Sequence, residues 1–324
     1  MKTRRLGKTG YTVSEIGLGC WQLGGDFGPV GDETAKAILD AANAAGITFW
    51  DTADVYGGGL SESRIGAHAK ARGTHVATKL GRAATLYPDK YSKDAIRASL
   101  EGSAQRLGVK KLDLAQLHCV PGPVLREGAI FGWMDELQAE GLVRHWGASV
   151  ETIEEGLLCL EQPGCATLQI IFNLFRQDAA EVLLPRAAEK DVGIIVRLPL
   201  ASGLLSGKFG KDTRFAESDH RNYNADGRAF SVGETFSGIP FQRGVELVQA
   251  LKGLSPEAMP MSQFALRWIL DHPQVSTVIA GVSKPEQIAD NVAASEHKSL
   301  FPALMGQLRE WYEREVKPEI RGGV

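Results

Sequence analysis

Four side chains in the amino-terminal part of the sequence could together deliver a proton to a substrate oxygen. A tyrosine is a poor acid at neutral pH because its pKa is about 10, but a neighbouring lysine ammonium stabilises the phenolate and lowers that pKa. An aspartate could hold the lysine in place through a charge-assisted hydrogen bond, and a histidine could hydrogen-bond a carbonyl oxygen or help to pass its proton. We therefore predict one acid-donating unit that consists of Asp51, Tyr56, Lys79 and His118.

Reduction of a carbonyl group is a reaction that needs such a unit. It places a hydride on carbon and a proton on oxygen, and because no side chain supplies a hydride, a nicotinamide cofactor is implied. The usual dinucleotide fingerprint GxGxxG is incomplete, since Gly17 and Gly19 are followed by Gln22 in the third place. We therefore expect a nicotinamide to be bound in a way that does not use this fingerprint.

The elements that would position these side chains alternate along the chain. Short apolar runs that predict buried strands are followed by stretches of helical period. Eight such units favour parallel strands and, in 324 residues, a closed (β/α)8 TIM barrel rather than an open sheet. An amino-terminal β-hairpin is expected up to about Ser14, and an extra carboxy-terminal helix from Ala303 to Val316. We predict a single α/β barrel domain over residues 1–324, with its longest loop at about 210–238.

The carboxyl ends of the eight strands should meet at one mouth of the barrel, where catalytic residues of this fold are found. The residues expected there carry a carboxylate, an amine, an imidazole, a hydroxyl, an amide and a guanidinium. In chain order they are Trp21, Asp51, Lys79, His118, Ser149, Gln169, Arg197 and Gly281. The nicotinamide is therefore expected at this mouth.

Composition excludes several other classes of protein. There are 36 Lys and Arg against 39 Asp and Glu, so the net charge is −3, and hydrophobic residues make up 44% of the chain. This apolar content argues against disorder, and the lack of a basic excess argues against nucleic-acid binding. Four cysteines without a CxxC pair, no apolar run after the basic start and no long apolar segment predict a reduced, cytoplasmic protein without a membrane span. The histidines lack metal-ligand spacing, so no metal site is predicted.

Seven segments, in order, resemble the aldo-keto reductase family over nearly the whole chain. They are "RRLGKTGYTVSEIGLGCWQLGG", "WDTADVYGGGLSE", "VATKLG", "LDLAQLH", "GLVRHWGAS", "LPLASGLLSGK" and "GVSKPEQIADN". The sequence is most similar to the bacterial branch, which also resembles the potassium-channel β subunits. The resemblance implies that Asp51, Tyr56, Lys79 and His118 form the catalytic tetrad, with Tyr56 as general acid.

The resemblance also implies a set of cofactor-binding residues. Ser149 and Gln169 would hold the nicotinamide carboxamide. The pyrophosphate loop would comprise Pro199, Leu200, Ser202, Gly203 and Lys208, and the adenosine end would meet Ser283, Lys284, Gln287 and Asn291. Lys284 with Arg214 or Arg221 would pair with a 2′-phosphate, which favours NADPH over NADH. Trp21 would form a wall of the substrate pocket beside the cofactor, and Gly281 ends the last strand at this site.

The sequence departs from the family pattern at the cofactor site. Val150 stands where many members have an asparagine, and Gln287 stands where an arginine is common. Arg197 replaces the tyrosine or tryptophan that stacks on the nicotinamide in many members, although a guanidinium can also stack on a flat ring.

Three functions stay open at this point. The first is NADPH-dependent reduction of an aldehyde or ketone, or the reverse oxidation of an alcohol or sugar, with a small-molecule substrate. The second is a nicotinamide-binding redox sensor or regulatory subunit with slow turnover. The third, a metal-dependent barrel hydrolase, is disfavoured by the missing ligand cluster.

Overall fold

Eight parallel strands close into a barrel, which confirms the predicted fold class. The structure is a computed structural model and describes residues 1–323. The barrel strands are β3 (Ile16–Gly19), β4 (Phe49–Asp51), β5 (His75–Leu80), β6 (Leu112–His118), β7 (Val143–Ser149), β8 (Cys165–Ile171), β9 (Gly193–Arg197) and β10 (Val275–Gly281). They follow one another around the barrel in chain order, and β10 pairs with β3 to close it. The eight carboxyl ends therefore lie at one mouth, as the sequence predicts.

The predicted amino-terminal hairpin consists of β1 (Thr3–Arg5) and β2 (Thr12–Ser14), which pair antiparallel. Leu6 and Val13 are fully buried and pack with apolar side chains of the barrel interior. The turn lies so close to the start of β9 that a Cβ on Gly7 would come within 2.2 Å of the Gly193 nitrogen, and Gly7 has a φ of +49°. A glycine is required there for both reasons.

Twelve helices are found in the described residues, and most of them form the outer layer of the barrel. They are α1 (Asp32–Ala44), α2 (Leu60–Gly66), α3 (Lys93–Leu107), α4 (Gly122–Glu127), α5 (Ala129–Ala139), α6 (Ile153–Leu160), α7 (Leu183–Glu189), α8 (His220–Tyr223), α9 (Phe241–Lys252), α10 (Met261–Leu270), α11 (Glu286–Glu296) and α12 (Pro302–Trp311). The extra carboxy-terminal helix is confirmed as α12, which continues through a π-helical turn, Tyr312–Val316. Helix α2 was not predicted from the sequence, because seven residues after a glycine run are too short to show a helical period.

The core lies between the strands and the helices as well as inside the barrel. All seven residues of β8 are buried, as expected for strands that are covered on both faces. Trp50 and Trp146 are fully buried on the strand layer. The apolar runs that predicted the strands are therefore the residues that hold the two layers together.

The long connection between β9 and α9 folds over the mouth instead of extending into solvent. Its residues 219–220 and 233–239 are buried. Arg321 from the carboxy-terminal segment holds it from outside, with donor–acceptor distances of 3.0 Å to the Gly238 carbonyl, 2.9 Å to the Asp226 carboxylate and 2.9 Å to the Ala225 carbonyl. This loop therefore forms part of the wall of the site. Within residues 1–323, no helix has the length and apolar character needed to cross a membrane.

Two neighbouring arginines of β1 allow a test of how the hairpin is held. Arg4 pairs with the buried Glu15 at 2.7 Å and donates to three backbone carbonyls, whereas Arg5 forms an exposed pair with Asp191. We expect Arg4→Met to lower the free energy of unfolding by about 3 kcal/mol, because it removes the charged partner of a buried carboxylate and one donor from each of three backbone carbonyls. Arg5→Met should change it by less than about 1 kcal/mol. Urea unfolding of both variants measures this, and equal effects would contradict the assigned role of Arg4.

Candidate active site

A cavity of about 380 Å³ opens at the mouth where the strands end. Aromatic and charged side chains make up much of its wall. The wall includes Trp21, Asp51, Tyr56, Arg82, His118, Glu151, Gln169, Arg197, Phe230 and Glu234. The volume is within the range of small-molecule sites.

Lys79 is at the centre of the predicted acid unit and is 1% exposed. Its ammonium donates to the carboxylate of Asp51, to the Thr52 carbonyl at 2.9 Å and to the Tyr56 hydroxyl at 3.2 Å. Burial alone would lower the pKa of Lys79, but the Asp51 carboxylate and the Tyr56 hydroxyl outweigh it and raise that pKa. The structure therefore brings Asp51, Lys79 and Tyr56 together as a bonded chain that ends at the cavity.

Two amide side chains hold the second oxygen of Asp51. Gln169 donates to Oδ1 at 2.8 Å and Gln116 at 3.1 Å, and both side chains are buried. The Ser149 hydroxyl lies 3.4 Å from Gln169 Oε1. Gln116 was not predicted from the sequence, although its position two residues before His118 on β6 places it on the inward-facing side of the strand.

Tyr56 reaches the cavity because the chain reverses immediately after it. Gly57 and Gly58 have φ values of 59° and 62°, which glycine adopts without strain. A Cβ on Gly57 would come within 2.4 Å of the Gly24 carbonyl. The ring of Tyr56 stacks on Trp21 at 5.7 Å and meets the edge of His118 at 5.9 Å between centroids. The three glycines of the "YGGG" segment thus place the hydroxyl between Lys79 and the cavity.

The ionisation of the site differs from the sequence prediction in one respect. Burial raises the pKa of Tyr56 to about 12, and the Lys79 ammonium opposes this increase without reversing it. Burial, together with the charges of Arg82, Lys79 and Arg197, lowers the pKa of His118 well below its ordinary value. The site therefore holds a protonated phenol beside a neutral imidazole, and the expected fall in the Tyr56 pKa does not occur in this state.

A second charged cluster lines the same cavity. Glu234 pairs with Arg82 at 3.0 Å and with Arg197 at 3.1 Å, and Glu151 pairs with Arg82 at 2.7 Å. Cys119 and the two glutamates come within 4.8 Å of one another, but both carboxylates are already bonded to guanidinium groups. The cluster is thus balanced internally by two positive and two negative charges.

Three members of this cluster were not predicted from the sequence. Arg82 and Glu151 lie two residues beyond the ends of β5 and β7, so the signal for them was a charge just past a strand end. Glu234 lies in the long loop, where no periodicity indicates its position. Arg197, expected to stack on the nicotinamide, is 8% exposed and also donates to the Val150 carbonyl at 3.1 Å.

The predicted cofactor residues extend from the cavity to the outer rim. Trp21, Gln169, Arg197, Pro199 and Gly281 line the cavity, and Ser149 adjoins it through Gln169.

The predicted pyrophosphate residues lie in the connection that follows β9. The tight turn at its start is formed by Leu200, Ser202 and Gly203, and the Ser202 hydroxyl donates to the Glu234 carbonyl at 3.3 Å. Lys208 and Arg214 are exposed farther along the same connection. Arg221 is bound by Asp219 through two hydrogen bonds, which leaves Lys284 and Arg214 as the expected partners of a 2′-phosphate.

The predicted adenosine site lies at the start of α11. Gln287 Oε1 accepts from the backbone nitrogens of Ser283 at 2.8 Å and Lys284 at 3.0 Å, so the Gln287 side chain holds the turn that precedes the helix. Ser283 and Lys284 are exposed, and Asn291 is buried farther along the helix. These positions stay a prediction for the cofactor.

Known proteins resemble this chain over almost its entire length. The model of the Aldo/keto reductase family matches residues 15–313. A probable voltage-gated potassium channel subunit beta of Oryza sativa subsp. japonica is 30% identical over 98% of this chain and 97% of the relative. An uncharacterized oxidoreductase of Bacillus subtilis is 29% identical over 98% of each chain.

Solved structures share the fold at similar coverage. A glycerol dehydrogenase from Gluconobacter oxydans has a TM-score of 0.79 and 26% identity, and covers 99% of this chain and 98% of its own. The holo form of an aldo-keto reductase from Bacillus halodurans has a TM-score of 0.77 and 25% identity, with the same coverage. The family match and these relatives confirm the resemblance stated from the motifs: the chain belongs to the aldo/keto reductase family and is an oxidoreductase.

Proposed function

We propose that the protein reduces an aldehyde or ketone with NADPH, or catalyses the reverse oxidation of an alcohol or sugar, with Tyr56 as general acid. The observation that carries the proposal is the bonded chain from Asp51 through Lys79 to the Tyr56 hydroxyl, which ends in the cavity beside His118. The likeness to a glycerol dehydrogenase supports oxidation of an alcohol as the reverse direction.

The residues at the mouth are suited to a nicotinamide. His118 Nδ1 and Gln22 Oε1 are buried without a hydrogen-bond partner among the described residues. Both residues line the cavity, so these two atoms are available to hydrogen-bond a bound molecule. Gln169 retains one amide hydrogen and one lone pair beyond its bonds to Asp51 and Ser149, which suits a carboxamide. A reduced nicotinamide bound there supplies the hydride.

The remaining cofactor contacts follow the positions described above. Ser149 and Gln169 would hold the carboxamide, and the turn after β9 would meet the pyrophosphate. Lys284 and Arg214 would pair with the 2′-phosphate, because exposed cations can turn toward a dianion. This preference for a 2′-phosphate is the reason for proposing NADPH rather than NADH.

The protein's own residues complete the reaction at the carbonyl oxygen. The Tyr56 hydroxyl donates its proton to that oxygen as negative charge develops on it. The Lys79 ammonium stabilises the phenolate that is left, and Asp51 keeps the ammonium oriented toward Tyr56. Neutral His118 donates a hydrogen bond to the same oxygen and so helps to position it. The product alcohol carries the hydride on carbon and the Tyr56 proton on oxygen.

A nicotinamide-binding sensor or regulatory subunit is the alternative function, and the likeness to a probable potassium channel subunit is relevant to it. The complete acid unit argues against it, because binding a cofactor without turnover does not need a buried lysine bonded to a tyrosine. Tight binding of NADPH without turnover of any carbonyl compound would favour this alternative.

Replacement of Tyr56 by phenylalanine tests the general acid. We expect Tyr56→Phe to lower kcat for carbonyl reduction by about 10²- to 10⁴-fold, because it removes the proton donor. NADPH affinity, measured by fluorescence titration alongside NADH, should change by less than about twofold. Tyr11→Phe is a matched control at the opposite end of the barrel, where the hydroxyl only contacts the Asp113 carbonyl. Full activity of Tyr56→Phe would disprove the mechanism.

The ionisation of Tyr56 predicts opposite pH dependences for the two directions. Reduction needs the protonated phenol, and with a pKa of about 12 that form predominates across the working range. We therefore expect kcat for reduction to be flat between about pH 6 and 10. Oxidation needs the phenolate, so its kcat should rise with pH by up to about tenfold per unit.

The pH profile should be measured where hydride transfer limits the rate, which a primary isotope effect with deuterated NADPH establishes. An alkaline decrease in the rate of reduction near neutrality would contradict the raised pKa. An acid decrease above about pH 6 would contradict a neutral His118.

A further inference from the structure

Glu234 joins the two arginines of the cavity, and it comes from the long loop rather than from a barrel strand. We propose that Glu234 determines substrate specificity: its carboxylate occupies both guanidinium groups and thereby excludes carbonyl compounds that carry an anionic group. The inference rests on the proposed carbonyl reduction and adds to it the charge class of the substrate, which is neutral.

The contacts of Glu234 are those by which proteins bind carboxylates. Oε2 accepts from Arg82 at 3.0 Å, Oε1 accepts from a second nitrogen of Arg82 at 3.1 Å, and Oε1 lies 3.1 Å from Arg197. Two-point pairing with a planar guanidinium is a specific arrangement for a carboxylate. Glu234 therefore stands where the carboxylate of a substrate would otherwise bind.

Burial strengthens the pairing of the Glu234 carboxylate with the two guanidinium groups. The side chains of Glu234 and Arg197 are 5% and 10% exposed, so their charges are screened much less than charges on the surface. Burial would raise the pKa of Glu234, but Arg82 and Arg197 lower it to about 2, so the carboxylate keeps its charge at any working pH. Glu151 supplies the second negative charge at Arg82.

The charged cluster lies close to the reacting end of the cavity. Cys119, the residue after His118, has its sulfur 3.6 Å from Glu234 Oε1 and 3.7 Å from Arg197. Glu234, His118 and Tyr56 line the same cavity. An anionic group next to a reacting carbonyl would thus find both guanidinium groups already paired with carboxylates of the protein.

The test compares benzoate with benzamide, which have the same shape and differ in charge. Their binding to the purified full chain is measured by titration calorimetry for the wild type, Glu234→Gln and Glu151→Gln. We expect Glu234→Gln to tighten benzoate binding by about tenfold or more and to change benzamide binding by less than about twofold, because Arg197 loses its paired carboxylate and Arg82 loses one of two. Glu151→Gln is the matched control, since Glu151 contacts Arg82 but not Arg197, and we expect a gain below about threefold.

Two results would overturn the inference. One is unchanged benzoate binding in Glu234→Gln, and the other is an equal gain in Glu151→Gln, which would show a general effect of cavity charge. If Glu234→Gln does not fold, Glu234→Ala provides a second measurement, in which formate should fill the vacated space. Formate should then compete with benzoate but not with benzamide, and equal competition with both would also overturn the inference.

The binding experiment is independent of the proposed reaction because it needs no turnover. A wild type that reduces carbonyl compounds, with no benzoate gain in Glu234→Gln, would overturn the inference alone. A wild type without reductase activity, with the benzoate gain present, would overturn the proposed reaction while the anion-excluding role of Glu234 stands.

Discussion

The ion pair between Asp51 and Lys79 is the interaction on which the site depends. Both side chains are almost completely buried, and removing two charges from water costs several kcal/mol per ion unless other groups compensate. The compensation comes from groups on different parts of the barrel: the Thr52 carbonyl and the Tyr56 hydroxyl on Lys79, and the amides of Gln116 and Gln169 on Asp51. The closed sheet is what holds β4, β5, β6 and β8 at the spacing that this network requires.

The mouth therefore contains two charged assemblies with different supports. The Asp51–Lys79 network comes from strands whose backbones are fixed by pairing on both sides. The cluster around Glu234 is completed by a loop, which is held from inside by Arg82 and Arg197 and from outside by Arg321 at Gly238. Asp51 and Lys79 thus lie on barrel strands and Tyr56 lies in the short turn that follows β4, whereas Glu234, the residue proposed to select by charge, lies in the loop after β9.

The pKa of Tyr56 could not be predicted from the expected closeness of Lys79 alone. A neighbouring ammonium does lower the pKa of a phenol, but burial of the hydroxyl acts in the opposite direction and is larger here. This raised pKa suits the proposed reduction, since the phenol would keep its proton until charge develops on the substrate oxygen. Lys79 would then act chiefly on the phenolate that forms after proton transfer.

Local patterns in the sequence were sufficient to predict the barrel and the hairpin, and they also led to the proposal that Asp51, Tyr56, Lys79 and His118 form one acid unit. Strand and helix periods are local properties, and eight repeats of one unit favour closure, so Asp51, Lys79 and His118 could be placed at strand ends without coordinates. Other features of the site depend on contacts between residues that are far apart in the chain, and local patterns do not show these contacts. Gln116 is recognised only when β6 lies beside β5, and Glu234 only when the loop returns across the mouth to meet two arginines more than 30 residues away in the chain. The balance between burial and charge that sets the pKa of Tyr56 likewise depends on every element packed around it, and so it exists only in the folded barrel.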